Sequence, residues 1–216
     1  RTNSNAARVA GGAAGTVSSQ QTTFSSVTTL SNLEVASKAL YMAYVDRRAS
    51  VRSPSMGVGL YDGTYIEVIS CPDYGKSDPG CNAAPAGTTI LICVAAPQVF
   101  DHNSLVYYLV NSQGIINASN VLYESLGSYD PRVRPWYKEG VSGGGFGAPY
   151  KLAGVIGNVF GQTYTQPVYM GNPLTPVLLG VVWADFKSVG TTATGCTDAC
   201  ETNSYGVRGG RAGASA

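Results

Sequence analysis

With 216 residues the chain is long enough for one domain with a well-buried core. Charged side chains make up only 12%, fourteen basic against thirteen acidic, for a formal charge of +1, where an ordinary soluble domain carries about a quarter. That near-neutral balance, with no Lys/Arg run and no acidic tail, argues against a nucleic acid or any other polyanion as partner.

Residues 1–22 are Gly, Ala, Ser, Thr and Asn with a few small apolar side chains such as Val9, Ala14 and Val17. They cannot build a core and read as a tail. From about Thr23 to Val51 the pattern is helical: Leu30, Leu33, Leu40 and Tyr44 form one stripe, and neither Pro nor Gly interrupts it. Arg47 and Arg48 suit the last turns, and Pro54 stops the helix. Strands are expected at Val58–Tyr61 and Thr64–Ser70, flanking the two-residue hairpin signal Asp62-Gly63. Two more are expected at Thr88–Ala95 and Ser104–Asn111, both rich in β-branched and aromatic residues.

Ser112-Gln-Gly114 reads as a turn into a short strand at Ile115-Ile116, and Asn120–Leu126 reads as a short helix. Ser142–Gly147 reads as a flexible connection rather than a phosphate loop, because no strand precedes it and no Lys follows at the required spacing. The last strands are expected at Val159–Val168 and Val177–Asp185, with Asn172-Pro173 turning between them. Residues 191–216 form a second, Gly-rich tail. One helix, a mainly antiparallel sheet and short helical connections make a single α+β domain over residues 23–190.

Five cysteines bear on compartment and cofactors. Cys71 and Cys81 bracket a Pro/Asp/Gly-rich surface loop and are expected to close it with a disulfide. Cys196 and Cys200 bracket three residues near the C-terminus and could close a small ring. Cys93, in an apolar run, reads as a buried thiol. No C-x-x-C pair exists, and the single histidine, His102, has no ligand-spaced neighbour, so neither a metal nor another cofactor is expected. No nucleophile–base pair stands out, so the chain is not read as an enzyme. Asn117-Ala-Ser119 is a glycosylation sequon and joins the cysteines in pointing to an extracellular, secreted protein. Arg1 in place of Met reads as a processed or excised chain. The most apolar run, Pro176–Phe186, is about half the roughly 20 residues that span a membrane, so membrane insertion is not expected.

The segment Tyr129-Asp-Pro-Arg-Val-Arg-Pro-Trp-Tyr137 carries a resemblance. With Ala148-Pro-Tyr150, Thr163-Tyr-Thr-Gln-Pro-Val-Tyr169 and Leu179-Gly-Val-Val-Trp-Ala-Asp-Phe186, it is similar to the Cache family of extracellular sensor domains. The match covers roughly Thr23–Gly190. The resemblance implies a PAS-like antiparallel sheet of five or six strands packed on the long first helix. Members that bind free amino acids carry a Tyr five residues before the Arg of R-x-W-Y and an Asp in the last strand. Here those positions hold Tyr129, Arg134, Trp136, Tyr137 and Asp185.

The chemistry fits an α-amino acid: Arg134 can grip a carboxylate bidentately, Asp185 can accept from an ammonium, and the aromatics give a wall with polar tips. The competing reading is structural, with Pro-Trp-Tyr a packed corner and Asp185 capping a turn.

Two functions compete. The favoured expectation is a secreted structural subunit that polymerises with itself, its 1–22 tail lying as an added strand in a neighbour's groove. The alternative is an ectodomain that binds a small amino acid or carboxylate.

Overall fold

A computed structural model describes residues 11, 14, 15, 24, 27–48, 53–151, 160–171 and 174–187. Most of the 1–22 tail, the Asn172-Pro173 turn, the 191–216 tail and the ring expected from Cys196 and Cys200 lie outside these residues.

The Thr29 hydroxyl accepts from the Asn32 amide at 3.2 Å, which starts the long helix α1 (Leu30–Arg48). Leu33, Leu40 and Tyr44 are buried as the apolar stripe requires, with Ala36 and Ser37 beside them. Leu30, the first helical residue, departs from the stripe and is 43% exposed. Phe24, Val27 and Ala14 are buried in the same core, and Ala14 belongs to the segment read as a free tail.

Among the described residues nine strands follow: β1 (Ser55–Leu60), β2 (Tyr65–Ser70), β3 (Ile90–Ala95), β4 (Ser104–Leu109), β5 (Tyr123–Ser128), β6 (Gly145–Phe146), β7 (Tyr150–Lys151), β8 (Phe160–Met170) and β9 (Val177–Lys187). Their order is β5-β4-β3-β2-β1-β9-β8-β6, with β7 also on β8. Every pairing is antiparallel. This is the architecture the Cache resemblance implied, an antiparallel sheet against a long helix, but wider than five or six strands.

Three local expectations change. Asn120–Leu126 is not helical, since β5 takes its second half. A run of two turns gains little as an isolated helix, whereas β4 offers a free edge that satisfies the backbone. The first hairpin has three loop residues, Tyr61 to Gly63. Leu60 N–H donates to Thr64 O at 2.7 Å, and Gly63 takes the left-handed conformation at φ 94° that closes such loops. The disulfide-closed segment is helical rather than irregular: α2 (Cys71–Tyr74), a 3₁₀ turn (Gly75–Ser77) and α3 (Pro79–Ala83), with Pro in the first turn of both helices.

Alternation splits the sheet into two faces. Met56, Val58, Ile66, Val68, Ile92 and Val182 pack toward α1. Tyr65, Ile69, Leu91, Cys93, Tyr107 and Trp183 point the other way, and on them lies the Tyr129–Tyr137 segment. All of β1 and β2 is buried, as a sheet covered on both faces requires.

Candidate functional site

The corner that follows β5 is built by proline and aspartate. Asp130 Oδ1 accepts from the Arg132 amide at 2.9 Å and caps a 3₁₀ turn, Pro131–Val133. Pro135 then opens helix α4 (Pro135–Val141). The two turns lay Tyr129, Trp136 and Tyr137, all buried, against the sheet. Bare backbone in β1 makes this possible. A Cβ on Gly59 would stand 2.7 Å from Pro131 Cβ and from Trp136 Cη2. One on Gly57 would stand 2.6 Å from Trp183 Nε1. Tyr65–Tyr129 and Trp136–Trp183 ring centroids then lie 4.5 and 5.7 Å apart, within the range of favourable aromatic pairs.

The two arginines of the motif diverge. Arg132 forks onto Asp130, with Nη2 to Oδ2 at 2.8 Å and Nε to Oδ1 at 2.9 Å. Its Nη1 also donates to the Tyr61 carbonyl at 3.3 Å. It clamps the corner to the first hairpin, and its guanidinium holds the Asp130 carboxyl below the usual carboxylate range. Arg134 makes no such fork. Its guanidinium carbon lies 4.5 Å from the centroid of the Tyr129 ring, and its buried Nε has no hydrogen-bond partner among the described residues.

Trp136 Nε1 and Tyr129 Oη are likewise buried outside hydrogen-bonding geometry. Trp136 and Tyr65 nevertheless stand close enough to Tyr129 to favour its phenolate slightly. Burial dominates and, with the charge of Glu67, pushes the Tyr129 phenol well above its ordinary value. Burial raises Tyr137 as well. Glu67, itself buried, accepts from Tyr65 Oη at 2.9 Å.

Asp185 lies inside β9, not at a turn, and is 1% exposed. It pairs across the ladder with Thr163. Tyr150 Oη and Thr163 Oγ1 each donate to its Oδ1 at 2.7 Å, and these two hydroxyls are 2.7 Å from each other. Ser55 Oγ donates to Oδ2 at 3.4 Å and lies 2.7 Å from Tyr74 Oη. Two hydroxyls thus converge on one carboxylate oxygen.

Tyr150, Thr163 and Trp136 line one cavity of about 30 Å³, with Pro135, Glu139, Gly147 and Ala148 around it. Asp185 stands behind the two hydroxyls. The structure therefore brings all five sequence-derived residues to one face. Trp136 lines the cavity and Asp185 backs it, Arg134 lies over the Tyr129 ring, which packs on Tyr65, and Tyr137 packs under the corner at Gly59.

Sequence reasoning gave no role to Tyr150, Thr163, Ser55, Tyr74 or Glu67. Tyr150 had a signal, its place in the Pro-Tyr pair. The others became visible only through strand register. Among the described residues no group of three metal-ligating side chains occurs, and no helix is long and apolar enough to cross a membrane. Cys71 and Cys81 form the expected disulfide, Cys93 is a buried thiol, and Asn117 is exposed.

No family model matches the chain, and no curated protein matches it. Among solved structures, the chain is similar to the ligand-binding domain of the Campylobacter jejuni chemoreceptor Tlp3. The complex with 4-methylisoleucine gives a TM-score of 0.35 at 12% identity, over 86% of this chain and 58% of that one. The same domain with L-valine gives 0.36 at 12% identity, over 86% and 60%. The ligand-binding domain of the Pseudomonas aeruginosa PAO1 amino acid chemoreceptor PctB with L-Gln gives 0.32 at 15% identity, over 86% and 53%. The chain spans less than two thirds of the length of each.

Proposed function

We propose that residues 23–190 form a Cache-type extracellular domain that binds a small α-amino acid, or a short carboxylate, on the face of the sheet opposite α1. One observation carries the reading. Among the described residues three buried donor groups of a single segment, Arg134 Nε, Tyr129 Oη and Trp136 Nε1, find no partner in good hydrogen-bond geometry, while on the same face the Asp185 carboxyl stands behind two cavity-lining hydroxyls. Buried polar atoms are rarely left so, and each costs about 1–3 kcal/mol while unmet. A carboxylate suits the donors, and an ammonium suits the end that carries the Asp185 carboxyl. A zwitterion does both.

The cavity of about 30 Å³ suits a water or two rather than an amino acid, so binding requires its wall to move. The Gly143–Gly145 connection, with all three residues at positive φ, adjoins that wall. The Cys71–Cys81 disulfide supports an oxidising, extracellular setting. Binding rather than catalysis is favoured because Cys93 is sealed in the core and His102 faces Glu124 on the surface.

Assembly into a filament through the 1–22 tail has no support among the described residues, and Ala14 is buried in its own domain. The test is a thermal-shift panel of the twenty L-amino acids and short carboxylic acids. At least one should raise the melting temperature, and Arg134→Ala should abolish the rise. A flat response across the panel sinks the proposal.

A further inference from the structure

The disulfide-closed segment after β2 lies at the amine end of this site. Tyr74 is the last residue of α2, three after Cys71. It is buried, and its hydroxyl meets Ser55 Oγ at 2.7 Å. Ser55 and Asp185 face each other where β1 pairs with β9, and Ser55 Oγ reaches Asp185 Oδ2 at 3.4 Å.

The direction of this chain follows from proton count. A carboxylate only accepts, and a serine hydroxyl has one proton. With that proton on Asp185, Ser55 Oγ must receive from Tyr74. The order is therefore Tyr74 to Ser55 to Asp185. It orients Oδ2 from below while Tyr150 and Thr163 hold Oδ1 on the cavity side. A second tie secures the same segment: Asp73, beside Tyr74, pairs with Lys187, two residues beyond Asp185 on β9. The disulfide between Cys71 and Cys81 fixes the start of α2 to α3. So one short element pairs directly with β9 two residues beyond the carboxylate that would meet a ligand's amine, and reaches that carboxylate itself through Ser55 of β1.

We infer that Ser55 and Tyr74 are positioning residues for amine recognition. They select amino acids over carboxylates that lack the amino group, and the disulfide-closed segment is part of the binding site. This rests on the small-molecule reading above.

The experiment measures, for wild type, Tyr74→Phe and Ser55→Ala, the affinity for each of the twenty L-amino acids and for each matching acid without its amino group. Calorimetric titration reads the first set and competition the second. The melting temperature of the unliganded proteins is recorded alongside. Tyr74→Phe should weaken the amino acid that binds best by about fivefold, the worth of one hydrogen bond between neutral groups. It should leave the des-amino acid and the unliganded melting temperature near their wild-type values, and Ser55→Ala should act in the same direction. Equal losses for both ligand sets would make Tyr74 a general support of the fold and overturn the inference, as would unchanged affinities in both variants. If wild type binds no amino acid at all, the functional proposal itself falls and the inference with it. That outcome is distinct, because it appears before any variant is compared.

Discussion

The two faces of the sheet are built on opposite principles. Toward α1 the packing is mostly aliphatic, with Leu33, Leu40, Met56, Val58, Val68 and Val182 interlocked. Toward the motif it is aromatic and polar: Tyr65, Tyr129, Trp136 and Trp183 surround two buried carboxylates, Glu67 and Asp185. Apolar burial needs only volume and pattern, whereas a buried carboxylate needs each partner in place. Among the described residues both faces hold buried hydroxyls without partners, Ser37 and Tyr108 toward α1 among them, but the buried carboxylates and the unmet guanidinium Nε of Arg134 lie on the second. Function is therefore sought on that face.

The sharpest way to break this comparison is in the core. Leu40→Ala should destabilise the domain by about 2–5 kcal/mol through the cavity it leaves, read by denaturant unfolding, with no preference among ligands. If Leu40→Ala proves nearly neutral, the helix face is not the stabilising one. Next is Gly59→Ala. Its new Cβ meets Pro131 and Trp136 at 2.7 Å, so a cost of about 1–3 kcal/mol is expected from overpacking. Unlike Leu40→Ala, it should displace the corner and weaken ligand binding beyond what the lost stability explains.

The arginines give a smaller and more selective contrast. Arg132→Ala removes a partly exposed ion pair and should cost no more than about 1 kcal/mol in unfolding experiments. Arg134→Ala should change stability by less while removing the ligand-induced thermal shift. Equal effects of the two substitutions on binding would erase the distinction drawn between clamp and ligand group.

The last contrast vanishes at neutral pH. Each face holds a tyrosine whose proton is tightened by burial: Tyr108 toward α1, pushed up to about 12, and Tyr129 on the motif face, pushed higher. Their folded values exceed the ordinary 10.0. Both folded and unfolded chains therefore hold these protons below pH 10, and no stability is lost there. Above pH 10 the unfolded chain ionises first, so stability falls as pH rises, through about 12 for Tyr108 and beyond it for Tyr129. Tyr108→Phe and Tyr129→Phe should each flatten that decline in pH-dependent unfolding. A decline unchanged in both variants would mean that neither phenol is held as described.

Much of the fold was legible because its signals are local. Helix α1 announced itself through Leu33, Leu40 and Tyr44, whose spacing is set by the turn of one helix. The pairing of Cys71 with Cys81 needed only a short, turn-rich loop between them. β5 was misread because nothing within Asn120–Leu126 reports that β4 leaves an edge open beside it. The first hairpin was misjudged by one loop residue, since Asp-Gly serves both two- and three-residue turns.

The site divides in the same way. Its residue types could be named from sequence, since two arginines, two prolines and two aromatics in one short segment are unusual at any position. Which arginine clamps and which stays available was decided by where Tyr61 and the Tyr129 ring fall in space. The surroundings of Asp185 were decided by register. Thr163 meets it across β8, Ser55 across β1, and Tyr74 through Ser55, from positions 22, 130 and 111 residues away. Sequence determined the elements and the chemical groups they carry, because local sterics and periodicity fix both. Only the tertiary structure decided which groups meet, because hydrogen bonds across strands depend on a pairing that no single strand encodes.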